Sequence, residues 1–448
     1  MTRRLGSFIA VVVPLAAVLM LAAQPAAAQD WFKTGTGLGV AKARVAAPDF
    51  GVVTPDAQPF EKTFHDVLSS DLDYSGILEL VSPSFYPAKI PNQPGELNAT
   101  DWANDPANTY MLAYGNLSLQ GGGLAAAGFL SDVKNPTAPI ALQKIYRGGA
   151  TDQDARKLAH QFADDIIARL SGGLPGIAQT QIVYVSTKSG NKELWSMDYD
   201  GGNQHQLSHL KSISLTPRWS PDAQRIAFTC YVPFRGITSA QICMYSLASD
   251  RIISFPRYRG TNSSPAWSPD GTQIAFMSSQ LGDPQIFVAD ADGGHLHRIT
   301  FSAGVSTSPV WNPKTGKQII FVSDRAGDPV LYMANSDGTD VQKIDAGDRG
   351  YVIDPSWSPN GQLIAFSWRR PTGNFDIYVM DIVSRQLLEL TRDEGRNERP
   401  SWAPDGRHLV FESTRTGTRQ IWTVLADGSQ PRELTYDGQN ESPNWSPR

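Results

Sequence analysis

Cysteine is almost missing from these 448 residues: there are two, Cys230 and Cys243, too few for a disulfide-built scaffold or a thiolate metal cluster. Charged residues make up only 19% of the chain, with 39 Lys and Arg against 44 Asp and Glu. A chain this short of basic charge does not offer the face that phosphate backbones require, so nucleic acid is excluded as main partner. Long apolar runs are also missing beyond the first residues. No Gly-x-Ser-x-Gly elbow and no His-Glu-x-x-His pair occurs, which removes the common hydrolase and zinc-protease signatures. Gly35-Thr-Gly37-Leu-Gly39 has the glycines of a dinucleotide loop, but neither a strand before it nor a helix after it.

Repetition is what the chain has instead. Pro217-Arg-Trp219-Ser-Pro221 returns as Pro265-Ala-Trp267-Ser-Pro269, Pro309-Val-Trp311-Asn-Pro313, Pro355-Ser-Trp357-Ser-Pro359, Pro400-Ser-Trp402-Ala-Pro404 and Pro443-Asn-Trp445-Ser-Pro447. The tryptophans are 48, 44, 46, 45 and 43 residues apart. A period of about 40–50 residues made of short strands is the mark of a β-propeller, one four-stranded blade per period. Each Trp is followed by a turn and an apolar triplet: Ile226-Ala-Phe228, Ile274-Ala-Phe276, Ile319-Ile-Phe321, Ile364-Ala-Phe366 and Leu409-Val-Phe411. A second apolar run and a closing Leu/Ile-Thr strand complete the unit. Asp270-Gly271, Asn360-Gly361 and Asp405-Gly406 suit tight turns with positive φ.

The first triplet, Ile182-Val-Tyr184, has no Trp strand before it, and the strand around Trp445 has no triplet after it. Joined, they make one blade, so six triplets and six Trp strands close as six blades with no open sheet edge. One blade is longer: Tyr231-Val-Pro-Phe-Arg-Gly236 reads as an inserted loop, and the two cysteines sit on its flanking strands. They either bridge in an oxidising compartment or stay small buried hydrophobes.

Residues 1–28 read as a cleaved signal peptide, with Arg3 and Arg4, an apolar core from Phe8 to Ala23, and Ala26-Ala-Ala28 before Gln29. The apolar core is short for a retained anchor, and no cysteine near the cleavage point offers a lipid attachment site, so no direct membrane insertion is expected. Its loss takes the formal charge from −5 to −7. Residues 29–43 form a glycine-rich tail expected to be mobile, either a partner-binding segment through its aromatic pair Trp31 and Phe32 or a plain spacer left by signal cleavage. Residues 44–175 read as a mixed α/β two-layer domain and 176–448 as the six-bladed propeller.

In the α/β domain, strands are expected at Val45 to Phe50, Ile77 to Val81, Tyr110 to Ser118, Leu124 to Val133 and Ile140 to Tyr146. Phe60, Phe64, Val67 and Leu68 mark one amphipathic helix. A second is capped by Thr151 with Asp154 and carries Ala155, Leu158, Ala159, Phe162, Ile166 and Leu170 on its apolar stripe. Gly173 to Gln179 is the linker.

Candidate ligand groups are sparse. His295 and His297 share a strand face but lack a third ligand. Asp198-x-Asp200-Gly201, Asp290-x-Asp292-Gly293 and Asn335-x-Asp337-Gly338 resemble the start of a calcium loop without its distal Glu, and recur where hairpin turns are required. No cofactor and no catalytic residue is assigned; calcium held by carbonyls and acids in the propeller channel is the alternative.

The exported N-terminus, "ILELVSPSFYP" after the first helix, the joining "GIAQTQIVYVS" and six Trp-Ser-Pro-Asp-Gly-like blades ending in "SPNWSPR" together resemble the TolB family of the Tol–Pal envelope system. The resemblance implies a monomeric periplasmic adaptor that binds the peptidoglycan-associated lipoprotein Pal at one propeller mouth and TolA through the N-terminal tail. It implies roles in outer-membrane integrity and in constriction at cell division. The residue before each Pro-x-Trp strand falls on a ring: Thr216, Ser264, Ser308, Asp354, Arg399 and Ser442. With Thr261, Asn262 and Thr307 they form the expected Pal-binding mouth, and Trp31 and Phe32 the expected TolA contact. The competing reading is an exported propeller hydrolase or carbohydrate-binding protein, which would need an acidic pair converging in the channel.

Overall fold

The computed structural model describes residues 38, 39 and 41–448, apart from 136–138, 348 and 372. The expected signal peptide and Trp31 and Phe32 lie outside the described residues. The α/β domain is built on a sheet of order β3-β1-β4-β5-β6, where β1 is Ala43–Ala46, β3 Leu78–Leu80, β4 Met111–Gln120, β5 Gly123–Asp132 and β6 Ile140–Gly148. The strand expected from Val45 to Phe50 is divided: β1 ends at Ala46, and β2, Gly51–Val52, pairs further along β4. Two long helices, α1 (Gln58–Tyr74) and α3 (Asp152–Leu170), share one face of the sheet in a single apolar core through Phe64, Leu68, Phe162 and Ile166. Thr151 and Asp154 form the expected capping box, each side chain accepting the other residue's backbone N–H. The opposite face of the sheet is covered by the segment carrying the short helix α2, Ala99–Ala103, whose Trp102 packs with Tyr114 and Phe129.

Six four-stranded sheets follow. Blade 1 contains Asn440–Trp445 paired to Gln181–Ser186, with Trp445 opposite Ile182, so the chain closes on itself as the repeat requires. Blades 2 to 6 begin with inner strands Ser214–Trp219, Asn262–Trp267, Ser306–Trp311, Tyr351–Trp357 and Asn397–Trp402. Each tryptophan is a wedge between blades. Trp267 packs with Ala227, Ile242 and Met244 of blade 2, and Trp402 with Leu363, Ala365 and Ile377 of blade 5. The indole N–H of Trp267, Trp311 and Trp402 donates to the backbone carbonyl of Arg218, Ala266 and Ser356, the residue before the tryptophan of the preceding blade. The Ser-Pro-Asp-Gly segment is the hairpin after it: Ser268 Oγ donates to Asp270 and accepts from the Gln273 N–H, with Gly271 at φ 71°.

Two expectations need correcting. The insertion at 231–236 is not a loop. Arg225–Phe234 and Ile237–Ser246 are continuous ten-residue strands joined at Arg235-Gly236, both with positive φ, so the extra residues lengthen a hairpin. Cys230 and Cys243 bridge these two strands as a disulfide, with Cα atoms 5.8 Å apart. The tail expected to be mobile up to residue 43 is packed at its end: Leu38 is 2% exposed and lies in the apolar cluster of blades 5 and 6. A Cβ on Gly76 would approach both Leu38 and Leu425, so a residue without one sits where α1 gives way to β3.

The α/β domain is fastened to blades 1 and 6 at the end where their inner strands finish. The Tyr74 hydroxyl donates to Thr423 at 2.6 Å, His408 Nε2 donates to the Tyr74 carbonyl at 2.6 Å, and Arg432 pairs with Asp73 at 2.9 Å. The linker is held rather than loose. The Asp164 carboxylate accepts the Ala178 N–H at 2.8 Å and the Gln179 side chain at 2.9 Å. A Cβ on Gly176 would fall 2.1 Å from that carboxylate, so the close approach requires glycine here.

Trp445 is 4% exposed and its indole N–H donates to Thr180 Oγ1 at 2.8 Å. Trp445→Ala is expected to destabilise the protein by about 3–5 kcal/mol. Deleting residues 443–448 is expected to cost at least as much, because blade 1 then loses part of a strand. Urea unfolding measures both, and a truncated chain unfolding at the wild-type midpoint would refute closure through this strand.

Candidate functional site at the propeller mouth

The ring positions are bulges. In every inner strand the register against the second strand slips by one residue, between Leu215 and Arg218 in blade 2 and between Glu441 and Asn444 in blade 1. The first bulged residue is left-handed in all six blades: Thr216, Ser264, Ser308, Asp354, Arg399 and Ser442 have φ between 47° and 56°. The second is always proline, which has no N–H to leave unpaired. This explains the Pro of the repeat, and it puts the ring within the inner strands rather than in the loops that precede them.

The six blades differ in how this strained residue is held. The N–H of Ser264 donates to Thr229 at 3.0 Å, that of Arg399 to Ser367 at 3.0 Å and that of Ser442 to Glu412 at 2.7 Å, each acceptor lying on the second strand of the preceding blade. In the other three blades the equivalent positions are Val185, Met277 and Val322. The channel is therefore lopsided. Around blades 5, 6 and 1, Arg399 reaches Glu412 at 3.0 Å and Glu441 at 3.9 Å, while Arg419 reaches Glu441 at 2.8 Å and Glu412 at 3.3 Å. Arg396 pairs with Glu398 and Lys192 with Glu441. Around blades 3 and 4 the wall is Ser263, Ser264, Thr307 and Ser308.

Burial governs the ionisation of these groups. It raises the Asp354 carboxyl above the ordinary carboxylate value, with Arg399 opposing, Glu398 reinforcing and Arg218 opposing. It lowers the Arg218 guanidinium to about 10, Asp354 acting against that and Arg399 with it. Burial also raises Glu412, against the pull of Arg399 and Arg419. Glu441 ends below its ordinary value, because Lys192, Arg399 and Arg419 outweigh its burial.

The other expected contact residues divide. Thr261 is exposed and Thr307 is half-buried on the inner strand. Asn262 is fully buried, its amide donating to Gln241 and to the carbonyls of Tyr258 and Gly260, so it shapes the loop and offers nothing to a partner. The charged quarter, Glu398, Glu412, Glu441, Arg396 and Arg419, was not among the expected residues. Aligning the repeats shows it: Glu398 and Glu441 precede the ring residue where other blades have Leu215, Ser263, Thr307 and Ile353. At the far end of the channel a cavity of about 360 Å³ is lined by five of the six tryptophans, all but Trp402, and by Pro221, Pro269, Pro313 and Pro447 that follow four of them. The α/β domain meets the propeller at that end, through Trp445 and 403–408.

This is a two-domain propeller protein, an α/β domain joined by a clamped linker to a closed six-bladed disc. The sequence matches the TolB beta propeller domain over 169–352 and 346–448 and the TolB amino-terminal domain over 36–138. It is 31% identical over 433 residues to the Tol-Pal system protein TolB of Bordetella pertussis, covering 96% of this chain and 93% of that protein. It is 33% identical over 264 residues to a TolB homolog of Chlorobium chlorochromatii, a match to 59% of this chain and 57% of that protein. The structure resembles that of TolB from Acinetobacter baumannii with a TM-score of 0.77 at 23% identity, over 91% of this chain and 98% of that one. The chain belongs to the TolB family.

Because the folded state holds the Asp354 proton more tightly than the unfolded chain does, this group's contribution is full in acid. It is lost as pH rises from the ordinary carboxylate value through the raised one. Asp354→Asn, which mimics the neutral form, is expected to gain stability relative to wild type across that window. Urea midpoints measured against pH check this, and a difference that stays constant with pH would refute it.

Proposed function

We propose that the protein is a non-enzymatic periplasmic adaptor of the Tol–Pal system. It receives the peptidoglycan-associated lipoprotein Pal at the mouth where the inner strands begin, and engages TolA through the segment that contains Trp31 and Phe32. Through these contacts it serves outer-membrane integrity and constriction at division. The observation that carries this reading is the lopsided mouth: a charged quarter held rigid by ion pairs faces a neutral wall of Ser and Thr. Such a surface fixes a partner's orientation through electrostatic complementarity and leaves room on one side for a protruding segment. Family membership supports the reading, since the Bordetella relative carries the Tol-Pal name.

The competing hydrolase or sugar-binding reading requires carboxylates free to act. Glu412 and Glu441 do converge, but both are bonded to Arg399 and Arg419, which leaves neither as a general acid or a nucleophile.

The test substitutes the wall rather than the bulges. Ser264 and Ser308 have φ of 55° and 52°, where a bulky side chain adds backbone strain to any steric block. Thr261→Trp and Thr307→Trp occupy the same side of the mouth. Each is expected to abolish capture of Pal in a pull-down while melting as wild type does; unchanged capture by both moves the interface elsewhere. Trp31→Ala is expected to weaken TolA binding and leave Pal binding intact, and equal TolA binding would remove the tail from the contact.

A further inference from the structure

The seam between α3 and blade 1 contains a polar cluster that the mouth does not use. His160 of α3 is 5% exposed, and its Nδ1 lies 2.7 Å from Oδ2 of Asp71 on α1. Asp71, itself 2% exposed, also accepts the Tyr199 hydroxyl at 2.6 Å, so it ties α1, α3 and blade 1 together. The other imidazole nitrogen, Nε2, is buried without a hydrogen-bond partner. Ligand atoms of His160, Asp198 and Asp200 all lie within 4.8 Å of one another. The two aspartates flank Tyr199, Asp198 at the end of the strand Glu193–Asp198 and Asp200 in the turn that follows. A cavity of about 270 Å³ opens beside them, with His160, Asp198, Arg156 and Asn203 in its wall.

Leaving a buried polar nitrogen unpaired is costly, and proteins seldom do so without a use for it. The Asp71 contact defines that use. A carboxylate accepting Nδ1–H fixes the tautomer with a free lone pair on Nε2 and makes it more basic, as the outer partner of a metal-bound histidine does. Three carboxylates, from Asp71, Asp198 and Asp200, surround the site. Their basic neighbours are Arg156, which pairs with Asp200 at 2.6 Å, and the exposed Lys157. In the other two Asp-x-Asp/Asn-x-Asp turns, Asp292 accepts the Gly294 N–H and Asp337 accepts the N–H and hydroxyl of Thr339; Asp290 meets the exposed His295, but among the described residues only the Asp198–Asp200 turn brings two carboxylates to one histidine.

We propose that this seam binds a divalent cation of the zinc class, with His160 Nε2 and one oxygen each of Asp198 and Asp200 as ligands and Asp71 orienting the imidazole. One imidazole with two carboxylates suits zinc and its first-row neighbours, whereas calcium takes oxygen ligands throughout. Zinc bonds of about 2.0–2.2 Å require the three ligand atoms to draw closer together. That movement carries α3 toward blade 1, so the ion acts as a clamp between the two domains, and Arg156 keeps the second oxygen of Asp200.

The experiment titrates zinc into the intact, chelator-stripped protein by calorimetry, with melting curves in parallel. Wild type is expected to bind one ion at the seam and to melt higher in zinc, because a ligand that binds only the folded state stabilises it. Asp198→Asn is expected to melt as wild type does without zinc and to lose the zinc-dependent rise. His160→Gln loses it too, and Asp71→Asn weakens zinc by about 10–100-fold. His160 and Asp71 are buried, so their variants lose stability with or without zinc, and Asp198→Asn decides the matter. Absence of zinc binding in wild type overturns the proposal. So does binding that persists undiminished in Asp198→Asn, which would assign the ion to exposed groups such as His295 and Asp290. Calcium giving the same rise as zinc overturns the ligand assignment.

Discussion

Each blade is held by an indole that belongs to it in sequence and to its neighbour in space. The tryptophan at the end of an inner strand fills the gap to the preceding blade and, in blades 3, 4 and 6, bonds to that blade's backbone carbonyl. A flat sheet cannot bury both faces by itself, so no blade is stable until its neighbour's wedge is in place. Six such contacts around a ring make the disc cooperative. They also fix the channel's diameter, since the wedges set how closely the inner strands approach.

On that rigid frame the blades differ in the chemistry they present to the channel. The same bulge geometry is occupied by Ser, Thr, Asp or Arg, and its N–H is capped by Thr229, Ser367 or Glu412, or left to apolar neighbours. Burial makes the charged members interdependent: Arg399 is shared by Glu412 and Glu441, and Arg419 by the same two. A charge change at one of them shifts the others, so the mouth responds as a unit.

Most of the fold was legible in the sequence because its signals repeat. The tryptophan period, the apolar triplets and the complementary half-blades at the two ends each point to six closed blades, and they agree. Locally strong signals also read through, as with the Thr151 capping box. What did not read through depends on contacts between distant segments. Asp164 looks like a solvent-facing helix residue until the linker is seen bonded to it. Leu38 looks like part of a glycine-rich tail until Leu425 is found beside it. The strand before Phe50 breaks because β2 finds its place further along β4, which no local pattern announces. At the mouth, the ring was found from position alone, while the acids behind it needed the repeats laid side by side. A polar residue at a loop end, such as Asn262, serves the loop as readily as a visitor, and only its bonds to the Tyr258 and Gly260 carbonyls show which.

Blade 1 takes its innermost strand from the far end of the chain: Trp445 meets Thr180 across 265 residues. As the polypeptide emerges from its N-terminus, Gln181–Ser186 therefore presents an unsatisfied edge until residues 440–445 arrive. An open edge of Ile, Val and Tyr is a template for pairing with any extended strand nearby. The finished disc is free of that hazard, but the nascent one is not. Ring closure thus acts as a timing rule: the disc is complete only when residues 440–445 are delivered, and it depends until then on whatever shields that one edge.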